Sequence, residues 1–146
     1  MTRPVSSIYT ISCYYNEIYD DPKLPACLIG KKHPGVDYRT PVGTPVVCPR
    51  RSILNFFGEE LGYGNTVLLK FWTGIWPFQK TYRMRFAHLS AFQGLRQIGQ
   101  KIDEGVVIVN TGNTGWSTGP HLHFQLDVLT KQGWRATDPY WLVGAS

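Results

Sequence analysis

The chain has 146 residues, a formal net charge of +5, and hydrophobic and aromatic fractions of 42% and 14%. This composition excludes a disordered chain and fits one globular domain with a buried core. No apolar run approaches the ~20 residues of a membrane-spanning helix. The N-terminal segment lacks the apolar stretch of a signal peptide, so no transmembrane segment and no leader are expected.

The predicted elements begin with an irregular N-terminal arm over residues 1–30, which is interrupted by Pro4, Pro22 and Pro25. Beyond it, short apolar segments alternate with glycine-rich turns, and the connections are too short for parallel crossovers. A short helical turn is expected over 89–98 and a last short element over 133–143. The fold class is therefore mostly β, a single domain on an antiparallel sheet. Strands are predicted over 43–49, 52–57, 65–72, 81–89, 105–110 and 121–128.

The strand predicted at 121–128, within "TGPHLHFQLDV", alternates strictly between apolar and polar residues. Because side chains alternate faces along a strand, the pattern predicts a half-buried strand with His121 and His123 on one face. Two such imidazoles can bind a metal together, or one can bind it while the other moves protons. For this motif alone, an ordinary solvated polar face is the alternative. The apolar face holds Leu122, Phe124, Leu126 and Val128, and the polar face holds His121, His123, Gln125 and Asp127.

The other two histidines lie in the short motifs "HPGVD" and "AHLS". Pro34 and Gly35 argue against a helix, and in an extended chain His33 and Asp37 share a face. His88, taken alone, is more typical of a structural histidine. Taken together, two histidines and one aspartate would supply three zinc ligands and leave a fourth position for water. Two histidines then remain for proton transfer and oxyanion stabilisation.

The charge and the cysteines restrict the partners and the metal chemistry. A basic chain favours polyanions, but its basic residues are scattered, so nucleic acid is not an expected partner. A soluble basic surface without a specific partner explains the charge equally well.

Cys13, Cys27 and Cys48 form no Cys-x-x-Cys pair, which argues against a thiolate zinc site. We expect three reduced, partly buried cysteines, with Cys48 in the core.

The strings "HPGVDYRTPVGTPV", "GYGNTVLL", "AHLS" and "TGNTGWSTGPHLHF" resemble the M23 family of zinc metallopeptidases, of the lysostaphin and LytM type. The resemblance runs from about residue 30 to residue 128. It implies an antiparallel β-sheet with long loops walling a narrow groove, and cleavage of peptide cross-links in bacterial peptidoglycan. It implies zinc ligation by His33, Asp37 and His123, with His88 and His121 as the catalytic histidines.

On this basis the chain divides into an arm at 1–30 and an M23-like peptidase domain at 31–146, and a monomer is expected. The Trp-rich hairpin over 70–86 is expected to wall the groove. Val106 and Val109 replace the family's usual Gln and Gly, a difference that concerns packing. The D-Ala-D-Ala carboxypeptidase class has a wider His-to-Asp spacing than "HPGVD" and is disfavoured.

The absence of a signal segment and of a wall-binding domain is more typical of a phage lysin or a virion-associated protein than of a secreted autolysin. The alternatives are a non-catalytic module that binds wall peptide, and a structural component of a phage tail. The sequence leaves the scissile bond open between a glycine bridge and a D-Ala-diaminopimelate link.

Overall fold

The computed structural model describes residues 2–26, 28–92, 94–95 and 97–145. Within these residues the chain forms short and long strands and one short helix at its C-terminal end. In chain order the elements are β1 (Ile11–Cys13), β2 (Val36–Arg39), β3 (Pro45–Val47), β4 (Ser52–Glu60), β5 (Gly64–Thr73), β6 (Lys80–Phe92), β7 (Lys101–Ile102), β8 (Val107–Thr111), β9 (His121–Thr130), β10 (Gly133–Thr137) and α1 (Tyr140–Val143).

The strands form one sheet with the order β1-β2-β9-β6-β5-β4-β7. β10 also pairs with β9, and β8 links β3 to β6. Each pairing within the described residues is antiparallel, as the short connections predict. The mostly β fold class is confirmed. The topology places β9, with its two histidines, in the interior of the sheet between β2 and β6.

The core lies on the apolar face of the central strands. Leu122, Phe124 and Leu126 of β9 are fully buried, and Phe124 packs edge to face on Phe86 of β6, with ring centroids 5.3 Å apart. Edge-to-face aromatic pairs add stabilisation beyond that of the buried area. This packing fixes the position of β9 from its apolar side, and with it the positions of the side chains on its opposite face.

The polar face of β9 is not solvated. His123, Gln125 and Asp127 are each 5% exposed or less, so the strand is buried on both faces rather than half-buried. Polar side chains from neighbouring strands and the arm cover this face, and their hydrogen bonds compensate the burial.

Three other predicted elements differ in the structure. The arm is not wholly irregular, since β1 forms within it and pairs with β2. β4 continues through Gly58 to Glu60 instead of ending at the glycine. The helical turn expected at 89–98 is wrong for the described residues there, because β6 continues to Phe92, where it pairs with β8. Gln93 and Arg96 fall in this region but outside the described residues.

The cysteines agree with the expected reduced state where the structure describes them. Cys13 is partly buried and Cys48 is fully buried in the core, and both are free thiols. Burial raises the pKa of the Cys48 thiol to about 11, which keeps it protonated. Cys27 lies outside the described residues.

The tip of the β5–β6 hairpin is exposed. Ile75, Trp76 and Phe78 are each more than 80% accessible to solvent. At about 3.3 Å per residue, the eight steps along β6 from Lys80 to His88 span about 26 Å. Two clefts lie next to the candidate site described below. No residue of the hairpin 70–86 lines either cleft, contrary to the expectation that this hairpin walls the groove.

The helix in the described part of the chain, α1, has four residues. No helix in this part is long and apolar enough to cross a membrane.

Candidate metal centre and active site

Strands β2 and β9, together with the bend that precedes β2, bring the predicted metal ligands together. Asp37 on β2 pairs directly with His123 on β9, and His123 pairs with Ala87 on β6. Directly paired residues on neighbouring strands share a face of the sheet. Asp37 and His123 therefore point the same way, and His33 reaches them from the bend that precedes β2.

The donor atoms of His33, Asp37 and His123 form a compact triangle. His33 Nε2 lies 3.1 Å from Asp37 Oδ1 and 3.1 Å from His123 Nδ1. His123 Nδ1 lies 2.8 Å from the same carboxylate oxygen. The His33 side chain is fully buried, and that of Asp37 is 14% exposed.

The tautomer of His123 follows from a chain of hydrogen bonds behind it. Arg83 donates twice to Asp127 Oδ2, and Gln125 Nε2 donates to Asp127 Oδ1 at 2.7 Å. The amide oxygen of Gln125 is thereby turned towards His123, and it accepts from His123 Nε2–H at 3.2 Å. With its proton on Nε2, the neutral ring presents a lone pair at Nδ1, the atom that faces Asp37.

His33 is oriented in the same way by the N-terminal arm. Its Nδ1–H donates to the carbonyl oxygen of Tyr14 at 3.0 Å, which leaves a lone pair on Nε2. Main-chain hydrogen bonds fix the two segments together, because His33 N–H donates to Glu17 O and Asn16 N–H donates to His33 O. Backbone carbonyls and amides are common second partners of metal-bound histidines.

The triangle therefore consists of two imidazole lone pairs and a carboxylate, all acceptors, at mutual distances of 2.8–3.1 Å. Acceptors this close need a cation or a shared proton between them. Ligands of a tetrahedral zinc with bonds of ~2.0–2.1 Å stand roughly 3.3 Å apart. The donor set thus fits zinc after an opening of a few tenths of an ångström, and three protein ligands leave a fourth position open.

The charge state of the metal-free triangle follows from burial and proximity. Burial disfavours the ionised form of Asp37, but His123 and His33 outweigh this effect and hold the pKa of that carboxyl well below its usual range. Burial also opposes protonation of His33, yet contact with Asp37 raises the pKa of His33. For His123 burial prevails, and its pKa is lowered. The Asp37 carboxylate is thus stabilised in its ionised form, which favours a cation at the site.

Gly35 in "HPGVD" is required by close packing against β9. A Cβ at this position would overlap the carbonyl oxygen of Phe124 and lie 2.9 Å from His123 Cε1. The glycine lets the segment between His33 and Asp37 pass directly over the strand that carries His123.

His88 reaches the site through a break in the regular strand. Ala87 shares the face of His123, so a regular β6 would turn His88 to the opposite side. Instead His88 has a φ of 58°, and the register shifts between Leu89 and Ala91. Such left-handed backbone is uncommon for a residue other than glycine, and bulges of this kind redirect side chains at functional sites. The His88 ring centroid lies 6.0 Å from that of His123.

The turn-rich loop before β9 supports this irregular backbone. Gly112 packs on the bulge, where a Cβ would lie 2.7 Å from Leu89 C and 2.9 Å from His88 O. The loop brings the carbonyl oxygen of Thr114 to His88 Nδ1–H at 2.7 Å. His88 therefore presents Nε2 as its free nitrogen.

His121 stands next to His88, with ring centroids 4.6 Å apart. Its Nδ1–H donates to Gly119 O at 2.8 Å, and Ser117 Oγ lies 3.1 Å away. Its Nε2 is 3.6 Å from Asp37 Oδ2. Burial, His121 and His123 lower the pKa of His88 to about 3, so that His88 is neutral at neutral pH. Two imidazoles thus flank the triangle. Each uses its Nδ1 in a hydrogen bond to a backbone carbonyl, and neither uses its Nε2 in one among the described residues.

The structure thus brings all five predicted residues into one cluster: His33, Asp37, His88, His121 and His123. Their individual roles stay predictions.

Several supporting residues were not identified from the sequence. Gln125 and Asp127 share the polar face with the histidines, and that alternation was the available signal. Arg83 and Arg85 on β6, both of which reach Asp127, gave no comparable signal. Tyr63, which donates to Gln125 Oε1 at 3.0 Å, follows a glycine-rich turn and is likewise visible only in the fold.

Two clefts adjoin the cluster and form the groove. One, of about 520 Å³, is lined by the arm from Ser12 to Leu24, by Asp37 and Arg39, and by Thr118–His121. The other, of about 220 Å³, contains His88 and Trp116 together with Tyr19 of the arm. Tyr19 belongs to both clefts and packs edge on against the His33 ring at 5.3 Å. The groove walls are thus the N-terminal arm and the loops around Leu61 and Trp116.

Comparison with known proteins agrees with this geometry. Residues 31–139 match the model of Peptidase family M23. The chain belongs to peptidase family M23. The chain is similar to the catalytic domain of lysostaphin from Staphylococcus simulans, with a TM-score of 0.72 and 29% identity over 93% of this chain and 92% of that one.

Two other similarities extend the comparison. A zinc-containing peptidase from Vibrio cholerae has a TM-score of 0.72 and 26% identity, covering 99% of this chain and 39% of that one. The DD-carboxypeptidase/endopeptidase Mpg of Neisseria meningitidis is 40% identical over 93 residues, which make up 64% of this chain and 19% of Mpg. The chain thus spans about a fifth of the length of the curated relatives it matches first.

The family resemblance stated from the sequence is therefore confirmed, and with it the lysostaphin-like fold. Zinc is the metal of the M23 family and of a solved relative, and it fits the donor set of the triangle.

Proposed function

We propose that this M23 domain is a zinc-dependent endopeptidase that cleaves peptide cross-links of bacterial peptidoglycan. The observation that carries the proposal is the triangle of two imidazole lone pairs and a carboxylate at 2.8–3.1 Å, flanked by two further histidines. A structural zinc site would have no need of two additional histidines with free Nε2 atoms. The names of Mpg, a DD-carboxypeptidase/endopeptidase, and of lysostaphin, an antimicrobial peptidase, support the reaction class, and that of a 36% identical relative, the peptidoglycan DD-endopeptidase ShyA of Vibrio cholerae, supports the substrate class.

In this proposal His33 Nε2, Asp37 Oδ1 and His123 Nδ1 hold the metal. A zinc ion held there would supply Lewis acidity, polarising the scissile carbonyl and lowering the pKa of a bound water. The protein's own contribution is to fix the three donors and to place the substrate peptide along the groove between the arm and the Trp116 loop.

His88 and His121 handle the protons. His88 is neutral at neutral pH, so its Nε2 can accept a hydrogen from the attacking water. The Thr114 carbonyl fixes its tautomer, which keeps Nε2 as the accepting atom. His121, whose ring lies next to that of His88 and whose Nε2 is 3.6 Å from Asp37 Oδ2, is the group assigned to stabilising the developing oxyanion. The backbone carbonyl of Gly119 holds its ring in place.

The test combines zinc content with the rate of wall lysis for three variants. We expect His123→Ala to lose zinc and activity together. His88→Ala and His121→Ala should keep zinc but lose turnover by about two or more orders of magnitude, the scale of a lost acid-base or oxyanion contact. Loss of metal in His121→Ala with retention in His123→Ala would reverse the two assignments. Parent-rate lysis by His88→Ala would make that residue structural.

The substrate test is digestion of purified sacculi of several wall chemotypes, with mass analysis of the fragments. Release of fragments with new termini at a cross-link supports the endopeptidase. Tight binding to sacculi without any fragment would instead indicate a module that only binds wall peptide.

We further propose that the domain acts as a monomeric phage lysin or virion-associated protein. Detection of the protein in purified virions would separate a virion component from a soluble lysin, and light scattering of the purified protein tests the monomer.

A further inference from the structure

We propose that Cys13, in the N-terminal arm, is a fourth protein donor to the metal of this site. The inference rests on the proposed zinc site and adds to it a thiolate that occupies the position otherwise open to water. It concerns the part of the arm that lies outside the matched region 31–139.

The sheet register places Cys13 on the correct face. Cys13 on β1 pairs directly with Asp37 on β2, which pairs directly with His123 on β9. Cross-strand partners share a face of the sheet, so the thiol lies on the same face as Asp37 and His123, one strand further along. Cys13 also lines the larger cleft beside Asp37 and His121.

The distances are compatible with ligation. The donor atoms of Cys13, His33 and Asp37 all lie within 4.8 Å of one another. With zinc–sulfur and zinc–nitrogen bonds of about 2.3 and 2.0 Å, sulfur and nitrogen ligands of a tetrahedral zinc stand roughly 3.5 Å apart. The sulfur must therefore approach by about 1.3 Å at most, a shift within the range of rotation about its Cα–Cβ bond.

Ligation would replace two contacts that the thiol makes with described residues. Its sulfur lies 4.0 Å from the carbonyl oxygen of Tyr14, at the limit of a thiol hydrogen bond, and it also interacts with the Glu17 carboxylate. On ligation the sulfur–metal bond replaces the S–H bond, and the proton passes to solvent. The charge of the metal ion offsets the nearby carboxylates, which otherwise disfavour a thiolate.

Ligation by Cys13 would give the metal two forms. With the thiolate bound, the metal has four protein donors, the arrangement of a closed site; with it released, the metal has three and an open position for water. β1 is suited to release, because it is a three-residue strand at the edge of the sheet. Reagents or oxidants that modify the thiol would then favour the open form and weaker metal binding.

The test uses Co²⁺ as a spectroscopic probe and does not depend on peptidase activity. We expect Co²⁺ bound to the parent chain to show a near-ultraviolet sulfur-to-metal charge-transfer band, which Cys13→Ser and Cys13→Ala abolish. The same variants should bind zinc at least about tenfold more weakly, because even the hydrogen-bond partners of metal ligands change the metal affinity 10- to 100-fold. Cys27→Ala and Cys48→Ala, each of which removes one of the other thiols, are the matched controls and should keep the band.

A second measurement covers the event that a variant folds poorly. In the parent chain, saturating zinc should slow alkylation of Cys13 by about tenfold or more, because a bound thiolate is shielded, and His33→Ala should abolish this protection. If the parent chain binds Co²⁺ without showing the band, or if zinc leaves the alkylation rate of Cys13 unchanged, Cys13 is not a ligand. Either result leaves the three-ligand site intact. Failure of the parent to bind either metal overturns both proposals.

Discussion

Replacement of Gln125 by leucine tests whether the hydrogen-bond chain behind His123 prepares the metal site. Gln125 is 5% exposed and connects His123 Nε2–H to Asp127, which in turn is held by Arg83. Leucine has a similar volume but neither accepts from the imidazole nor donates to the carboxylate. The tautomer and the orientation of His123 are then no longer fixed.

The expected effect can be stated for metal affinity and for stability separately. Loss of a hydrogen-bond partner behind a metal-bound histidine costs 10- to 100-fold in affinity, which corresponds to about 1.4–2.7 kcal/mol. In the metal-free protein, Asp127 Oδ1 and His123 Nε2 lose buried partners, and each unsatisfied group costs about 1–3 kcal/mol of unfolding free energy. Zinc affinity and folding stability should therefore both fall.

The assay is competition with a chelator for zinc at pH 7, accompanied by denaturant unfolding of the metal-free protein. Gln132→Leu is the matched control, because it makes the same replacement at an exposed position beyond β9. Tyr63→Phe removes only the second donor to Gln125 Oε1 and should weaken zinc by no more than a few-fold.

Equal zinc affinity in Gln125→Leu and Gln132→Leu would refute the reasoning, because His123 would then be oriented without its partner. A loss in Tyr63→Phe as large as that in Gln125→Leu would show that the tyrosine, and not the amide, fixes the ring.

Three further outcomes follow from the packing and the charges. Gly35→Ala should lower both zinc affinity and stability, since its Cβ overlaps the Phe124 carbonyl, whereas Gly119→Ala, with open space around it, should leave the unfolding midpoint unchanged. Phe124→Ala should cost about 3–5 kcal/mol in denaturant unfolding; a cost below ~1 kcal/mol would contradict its place in the core. In the metal-free protein the unfolded state protonates His88 near pH 6.5 and the folded state only near pH 3, so stability should fall as the pH drops between these values. His88→Gln should flatten that slope in urea titrations at pH 7, 5 and 4, and an unchanged slope would mean that His88 does not cause it.

The sequence by itself determined the fold class and the composition of the candidate site. Alternation in β9 and the glycine-rich turns predicted short antiparallel strands, because period-two burial is a local property of an extended chain. "HPGVD" and "HLH" identified four potential donors, because residues with even spacing share a face of a strand, and the family resemblance selected three of them as ligands. These inferences depend on neighbours in sequence, which is why they could be drawn without the fold.

Tertiary structure alone decided how those residues are oriented and what surrounds them. No local pattern indicates that His88 turns to the site through a left-handed backbone, since the bulge depends on Gly112 from a distant loop. The burial of the polar face of β9 depends on Arg83, Arg85 and Tyr63 from other strands.

The arm shows the same limit most clearly. Its prolines predicted an irregular segment, yet Tyr14 orients His33 and Cys13 stands beside Asp37, because β1 completes the edge of the sheet next to β2. Pairing between strands 24 residues apart, from Cys13 to Asp37, depends on which edge is left open once β2, β9 and β6 have assembled. Local sequence carries no information about that edge, and so the residues that complete the site became visible only in the folded chain.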